Sequence, residues 1–227
     1  KKSDVSVFKK SFRMAAVWTV IFSIYLILEG HIHGAEVAKT QPTKLAAMES
    51  HWETKSGAEW TLFAIPDEKN ERNIIEIIKI PKLLSLFAFH NPSAEVKGLK
   101  EWGKDERPPV WLTFFSFRIM VGLGFLFALL SLLAFVKRNQ PETSPLLMRA
   151  LVFNIPLPYV AAQMGWVLAE VGRQPWIVYG VLKVKDAVSP LSRLQTSLSL
   201  PAFILIYGAL GVVCLWLVIS TVKKGIQ

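Results

Sequence analysis

Residues 109–136 read PVWLTFFSFRIMVGLGFLFALLSLLAFV, and this stretch decides the fold. It is apolar almost throughout, and its only charge is Arg118. A bilayer core needs roughly 20 consecutive apolar residues of helix, so the stretch is long enough to span a membrane with room to tilt. A charged side chain inside such a run is costly in lipid and marks a place to look for function.

Three further runs flank it. Met14–Leu28 lies between Arg13 and Glu29, Ala150–Ala169 between Arg149 and Glu170, and Leu198–Val222 ends at Lys223 and Lys224. The first is short and reaches span length only by borrowing the uncharged edge near Gly30. We therefore expect an all-α integral membrane protein, with about four transmembrane helices in a bundle and a large outer, periplasmic-side loop. Composition agrees: 52% of the 227 residues are hydrophobic, and the mean hydropathy is positive. The formal net charge of +9 resides in residues that flank apolar runs or lie in loops. No basic patch is interleaved with base-stacking aromatics, so nucleic acid is not an expected partner. Cys214 is the only cysteine, which excludes an internal disulfide and a thiolate metal site. Lys1-Lys2-Ser3-Asp4 and the apolar runs that follow read as a first span rather than a cleavable signal.

Basic residues set the orientation. Lys1, Lys2, Lys9, Lys10 and Arg13 precede the first span, Lys137, Arg138 and Arg149 separate the second and third, and Lys223 and Lys224 follow the fourth. An even number of spans places all three clusters on one side, and the positive-inside rule makes that side, with both termini, cytoplasmic. The expected organisation is a cytoplasmic N-terminus and first helix over 1–30, an outer loop over 31–108, and a three-helix segment over 109–227. In the loop, Thr43–Trp52 (TKLAAMESHW) suits a short helix capped by Thr43. Ile74–Phe89 is apolar but interrupted by Glu76, Lys79, Pro81 and Lys82, and is expected to lie in the membrane interface or against the bundle.

Polar and sulfur-bearing groups in the spans are the candidates for chemistry. Met120 stands about 17 residues from Lys137, roughly 25 Å along a helix, so Met120 and Arg118 both lie toward the outer leaflet. A thioether fills space in most membrane helices, and it is also an axial ligand of low-spin haem. Residues two apart point about 200° apart around a helix, so Arg118 and Met120 cannot share one contact direction. Gln163, Trp166, Glu170 and Arg173 form one stripe if the third helix continues through Gly172. A carboxylate there can ligate iron or relay protons; the same spacing equally serves a plain Glu–Arg pair at a helix end. His31, His33, His51 and His90 are placed in the loop, where solvation competes with metal binding.

Several stretches in order now resemble one family. Gly165–Trp176 (GWVLAEVGRQPW), Ser116–Gly122 (SFRIMVG), Lys44–Thr54 (KLAAMESHWET), Glu95–Leu99 (EVKGL) and Arg107–Pro109 (RPP) are similar to the C-terminal half of subunit I of the cytochrome bd quinol oxidases. The resemblance implies a quinol:oxygen oxidoreductase of the bacterial or archaeal cell membrane. It oxidises quinol at the outer face, reduces dioxygen to water, and generates proton motive force. It implies a low-spin haem b (the b558 type), a high-spin haem b (the b595 type) and haem d. Met120 resembles the methionine ligand of the low-spin haem iron, and Arg118 the arginine that tunes that haem. Glu170 resembles the carboxylate ligand of a high-spin haem iron, Trp166 the tryptophan between haems, and Arg173 an arginine that holds the haem region. Lys44 and Glu49 resemble the lysine and glutamate of the quinol-binding loop. Implied partners are subunit II, a small single-helix subunit, quinol, dioxygen and membrane lipid.

The chain departs from the family in one respect. Family members are roughly twice as long, and their N-terminal half carries the histidine partner of the low-spin methionine, a histidine ligand of a high-spin haem, and a proton path. On the boundaries above no span of this chain contains a histidine. We therefore expect the N-terminal half as a separate chain or missing segment. Two other readings compete: a catalytically degenerate scaffold paralogue, and a transporter segment, which would account for Arg118 and Glu170 but not for the ordered motifs.

Overall fold

The structure is a computed structural model that describes residues 2–188 and 190–224; Lys1, one of the N-terminal basic cluster, lies outside them. It divides into two units, Lys1–Asp186 and Ala187–Gln227. Among the described residues three helices are long and apolar enough to cross a membrane, within Val5–Thr40, Lys104–Val136 and Arg193–Lys224. A bent pair, Pro145–Phe153 and Leu157–Val171, makes a fourth if it is counted as one span. The mostly helical membrane architecture is the one read from the sequence.

In the first unit, α1 (Lys2–Thr40) runs without a break for 39 residues. It passes Glu29 and Gly30 and carries His31 and His33, so the helix continues beyond the expected boundary at residue 30. Polar residues end a membrane stretch but do not end a helix; no proline intervenes before Pro42, and Ala35 and Ala38 are buried. Helix α2 (Pro42–Met48) follows, with Pro42 in its first turn and Gln41, not Thr43, at the N-cap. Residues Leu45 to Ser50 are all buried, because α2 is wedged between α1 and α4 (Val110–Val136).

The stretch Ile74–Phe89 forms two elements, most of a strand and a short helix, and the helix lies against the bundle as expected. Strands β1 (Lys55–Ser56) and β2 (Trp60–Asp67) precede β3 (Arg72–Ile80), which pairs antiparallel with β2. Isoleucine suits extended backbone, and Glu76 and Lys79 pair with each other at its edge. The hairpin turn is held by Asp67, whose carboxylate accepts from the amides of Lys69 and Asn70. Helix α3 (Leu83–Phe89) then packs on α1, and the short β4 (Glu95–Val96) pairs with β1. Gly98 is required where the chain recrosses: a Cβ there would collide with the backbone of Trp52 and Glu53.

The third span is broken. Helix α5 (Pro145–Phe153) and α6 (Leu157–Val171) meet at 41°. Pro156 lacks an N–H and cannot continue the hydrogen-bond ladder of α5, which explains the break. Helices α4 and α6 pack closely. A Cβ on Gly165 would lie 3.0 Å from Met120 Sδ, and one on Gly172 would lie 3.2 Å from Thr113 Cγ2. The two glycines therefore mark the line of close approach. The first unit ends in the strand pair β5 (Trp176–Val178) and β6 (Leu182–Lys183).

The second unit holds α7 (Arg193–Lys224), which begins before the expected Leu198 and includes Pro201. Its start is a reciprocal cap: Gln195 N donates to Ser192 Oγ at 3.2 Å, and Ser192 N donates to Gln195 Oε1 at 2.9 Å, the capping-box arrangement.

Candidate functional site

Arg118 sits on the third turn of α4, where an unpaired cation would be costly. Its Nη2 donates to Glu49 Oε2 at 2.6 Å and to the Thr61 carbonyl at 2.8 Å. The guanidinium lies over the rings of Phe114, Trp60 and Phe117, at 4.9, 5.3 and 5.4 Å from their centroids. The Arg118 and Glu49 side chains are only 12% and 5% exposed. Glu49 reaches this position because it caps the C-terminus of α2, which α4 holds from one side. Burial pushes the Glu49 carboxyl above the usual carboxylate range, and Arg118 opposes that rise. A carboxyl so balanced can exchange a proton.

The second group lies at the end of α6. Arg173 Nη2 donates to Glu170 Oε2 at 2.5 Å, with the side chains 39% and 45% exposed. The pair forms because Gly172 keeps helical backbone as the C-cap, so the stripe holds through Arg173. Gln174 Nε2 donates to the Glu170 carbonyl at 3.3 Å. Lys44 comes from α2 to the same place: its Nζ donates to the Ala169 carbonyl at 3.4 Å. Burial lowers the Lys44 ammonium pKa; Arg173 lowers it further, and Glu170 pulls it back up. Trp166, one turn earlier on α6, is 63% exposed.

Met120 turns the other way from Arg118, as the helix period requires. Its side chain faces Gly165 of α6 and packs against the core that contains Leu45, Met48 and Leu168. Lys44, Glu49, Arg118, Met120, Glu170 and Arg173 thus collect around α2 and the facing parts of α4 and α6. Two of these groups keep a buried donor without a partner, Arg118 Nε and Arg173 Nε.

Sequence reading missed the supports. Thr61 and Trp60 of β2 complete the Arg118 socket, and the Thr43 hydroxyl meets the Tyr179 hydroxyl at 2.6 Å. The only signal for either was the side-chain type. The histidines divide: His31 Nε2 and His90 Nε2 are 3.0 Å apart, whereas His51 is largely buried, which lowers its pKa. Among the described residues no group of three or more His, Cys, Asp or Glu could hold a metal ion.

Membrane helices that gather, together with α2, two arginines, a lysine, two carboxylates and a thioether define a helical membrane protein with a charged site where its spans meet a polar cap. Comparison with known proteins narrows this class. The family model for cytochrome bd terminal oxidase subunit I matches residues 1–226, and the chain belongs to that family. It is similar to cytochrome bd ubiquinol oxidase subunit 1 of Bacillus subtilis, with 38% identity over 100% of this chain and 51% of the relative. It is also similar to cytochrome bd-II ubiquinol oxidase subunit 1 of Escherichia coli, with 27% identity over 87% of this chain and 52% of the relative. The solved bd oxidase of Geobacillus thermodenitrificans superposes with a TM-score of 0.77 at 31% identity, over 96% of this chain and 50% of that chain. The chain spans about half the length of the curated relatives it matches. The family implies haem cofactors in general.

Proposed function

We propose that this chain supplies the quinol-oxidising and haem-holding residues of the later half of an electrogenic quinol:oxygen oxidoreductase in a bacterial or archaeal cell membrane. The observation that carries the reading is the buried Glu49–Arg118 pair. It ties the polar segment to the helix turn that bears Met120. Each quinol loses two protons and two electrons, and two quinols reduce one dioxygen to two waters. Glu49 accepts a quinol proton and Lys44 donates a hydrogen bond to a quinol oxygen. Arg118 holds the Glu49 carboxylate in place and steadies its charge.

The donor set fits haem. A thioether at Met120 suits a low-spin iron, and the carboxylate of Glu170 suits a high-spin iron. The spare Nε donors of Arg118 and Arg173 suit anionic propionates. Bound haems b and d would supply one-electron transfer and dioxygen reduction. Trp166 presents an aromatic face beside Glu170, and Arg173 orients the Glu170 carboxylate. The partners in this reading are the N-terminal half with its histidine ligands, subunit II and a small single-helix subunit. Both termini are cytoplasmic, so quinol protons leave outside while protons for water enter from the cytoplasm.

Lys44→Ala and Glu49→Ala in the assembled oxidase test this. Quinol oxidation should fall while haem spectra stay normal and oxidation of an artificial one-electron donor that bypasses the loop is largely kept. Equal losses with both donors would show a structural loop and overturn the assignment.

A further inference from the structure

Asn73 lies on the β2–β3 hairpin, 24 residues beyond Glu49 in the numbering, and outside every motif considered so far. Its position is irregular: the ladder shifts register between Ile65 and Pro66, and Pro66 pairs with Asn73. The bulge turns the Asn73 side chain onto the residues that follow Glu49. Ser50 Oγ and Trp52 Nε1 both donate to Asn73 Oδ1, at 2.5 and 2.9 Å. Asn73 Nδ2 donates to the Ser50 carbonyl at 3.0 Å and to Glu76 Oε1 at 2.8 Å. An amide side chain has two acceptor and two donor positions, and all four are filled.

Three of the four bonds grip Ser50 and Trp52, both buried. Ser50 needs that grip. Its φ of 52° is left-handed backbone that a non-glycine residue adopts only when its surroundings enforce it. This turn ends α2 behind Glu49, and with the Asn73 bonds it seats against the helix end the β2–β3 hairpin, whose Thr61 carbonyl and Trp60 ring hold Arg118. A change of φ at Ser50 would swing the chain that follows it and, without the Asn73 bonds, let the hairpin shift and loosen the Arg118 guanidinium that holds the Glu49 carboxylate.

We propose that Asn73 is a positioning residue of the Glu49 carboxylate: it locks the β2–β3 hairpin to the left-handed Ser50 turn, so that Arg118 holds Glu49 in the geometry of quinol deprotonation. The inference rests on the quinol-oxidising reading of Glu49. Asn73 touches no quinol in this scheme and acts only through Glu49.

The test is a double-mutant cycle in the assembled membrane oxidase with a short-chain quinol. Asn73→Ala should lower kcat/KM for quinol on the order of tenfold, since small misplacements of a reacting group cost this much or more. Haem spectra and the artificial-donor rate should stay at wild-type level. In a Glu49→Gln background, Asn73→Ala should add almost nothing, because residues acting through one group are not additive. Ser50→Ala, which removes one of the four bonds, should give a smaller loss of the same kind and is decisive if Asn73→Ala depletes haem. Additive losses, or equal losses with both donors, overturn the inference while leaving Glu49 in place. A Glu49→Gln enzyme that oxidises quinol normally overturns the quinol reading itself, and the inference with it.

Discussion

Glu49 and Arg118 are 69 positions apart in the chain and 2.6 Å apart in the fold. Sequence reading placed them in separate roles, one at quinol and one at a haem, because spacing along a chain cannot report a contact made through three elements. The pairing has a pH consequence. Burial raises the Glu49 pKa and Arg118 opposes the rise, so removing the cation moves the carboxyl further up. Arg118→Gln should therefore shift the acid limb of the quinol kcat/KM profile to higher pH, because the proton-accepting form then needs more alkaline solution. An unmoved limb would show that another group titrates. The residues proposed as haem ligands should separate by spectrum. Met120→Leu keeps volume and should remove the low-spin haem signal, whereas Glu170→Gln should deplete a high-spin haem and leave the low-spin signal. A Glu170 that is only a surface partner of Arg173 would cost roughly 0–1 kcal/mol when changed, with haem content intact.

Among the elements, α4 was legible at once, because twenty-odd apolar residues admit one reading in lipid. Helix α2 was legible as a helix, but its cap was not: Thr43 turns inward to Tyr179, a partner far along the chain. The β2–β3 hairpin was missed because the charges Glu76 and Lys79 disguised a β-branched run. The break between α5 and α6 was missed because an apolar count passes over Pro156, whose backbone geometry decides it. The packing of α6 against α4 yields its own prediction. Gly172 has Lys44 Cε and Thr113 Cγ2 both 3.2 Å from where a Cβ would stand. Gly172→Val should destabilise the protein by about 1–3 kcal/mol through overpacking and raise the quinol KM by displacing Lys44. Thermal unfolding of the assembled complex and quinol kinetics check the two parts together; a silent substitution would mean that the helices are not in register there.

For the molecule as a whole, α1 is the feature whose length matters. Its 39 residues give roughly 58 Å at 1.5 Å per residue, close to twice the roughly 30 Å hydrocarbon core. Only part of it can sit in lipid. The remainder stands clear of the acyl chains as a rigid post, with α2 and α3 fastened to its side. The height of the polar cap above the bilayer is then fixed by a continuous helix rather than by a slack tether. A post that shares one axis with a membrane span tilts when that span tilts, and spans tilt to match acyl-chain length. The cap would lean with it, carrying the Glu49 carboxylate toward or away from the lipid surface. On the proposed quinol reading, the thickness of the surrounding lipid would bear on how far Glu49 stands from the bilayer, through a single unbroken helix.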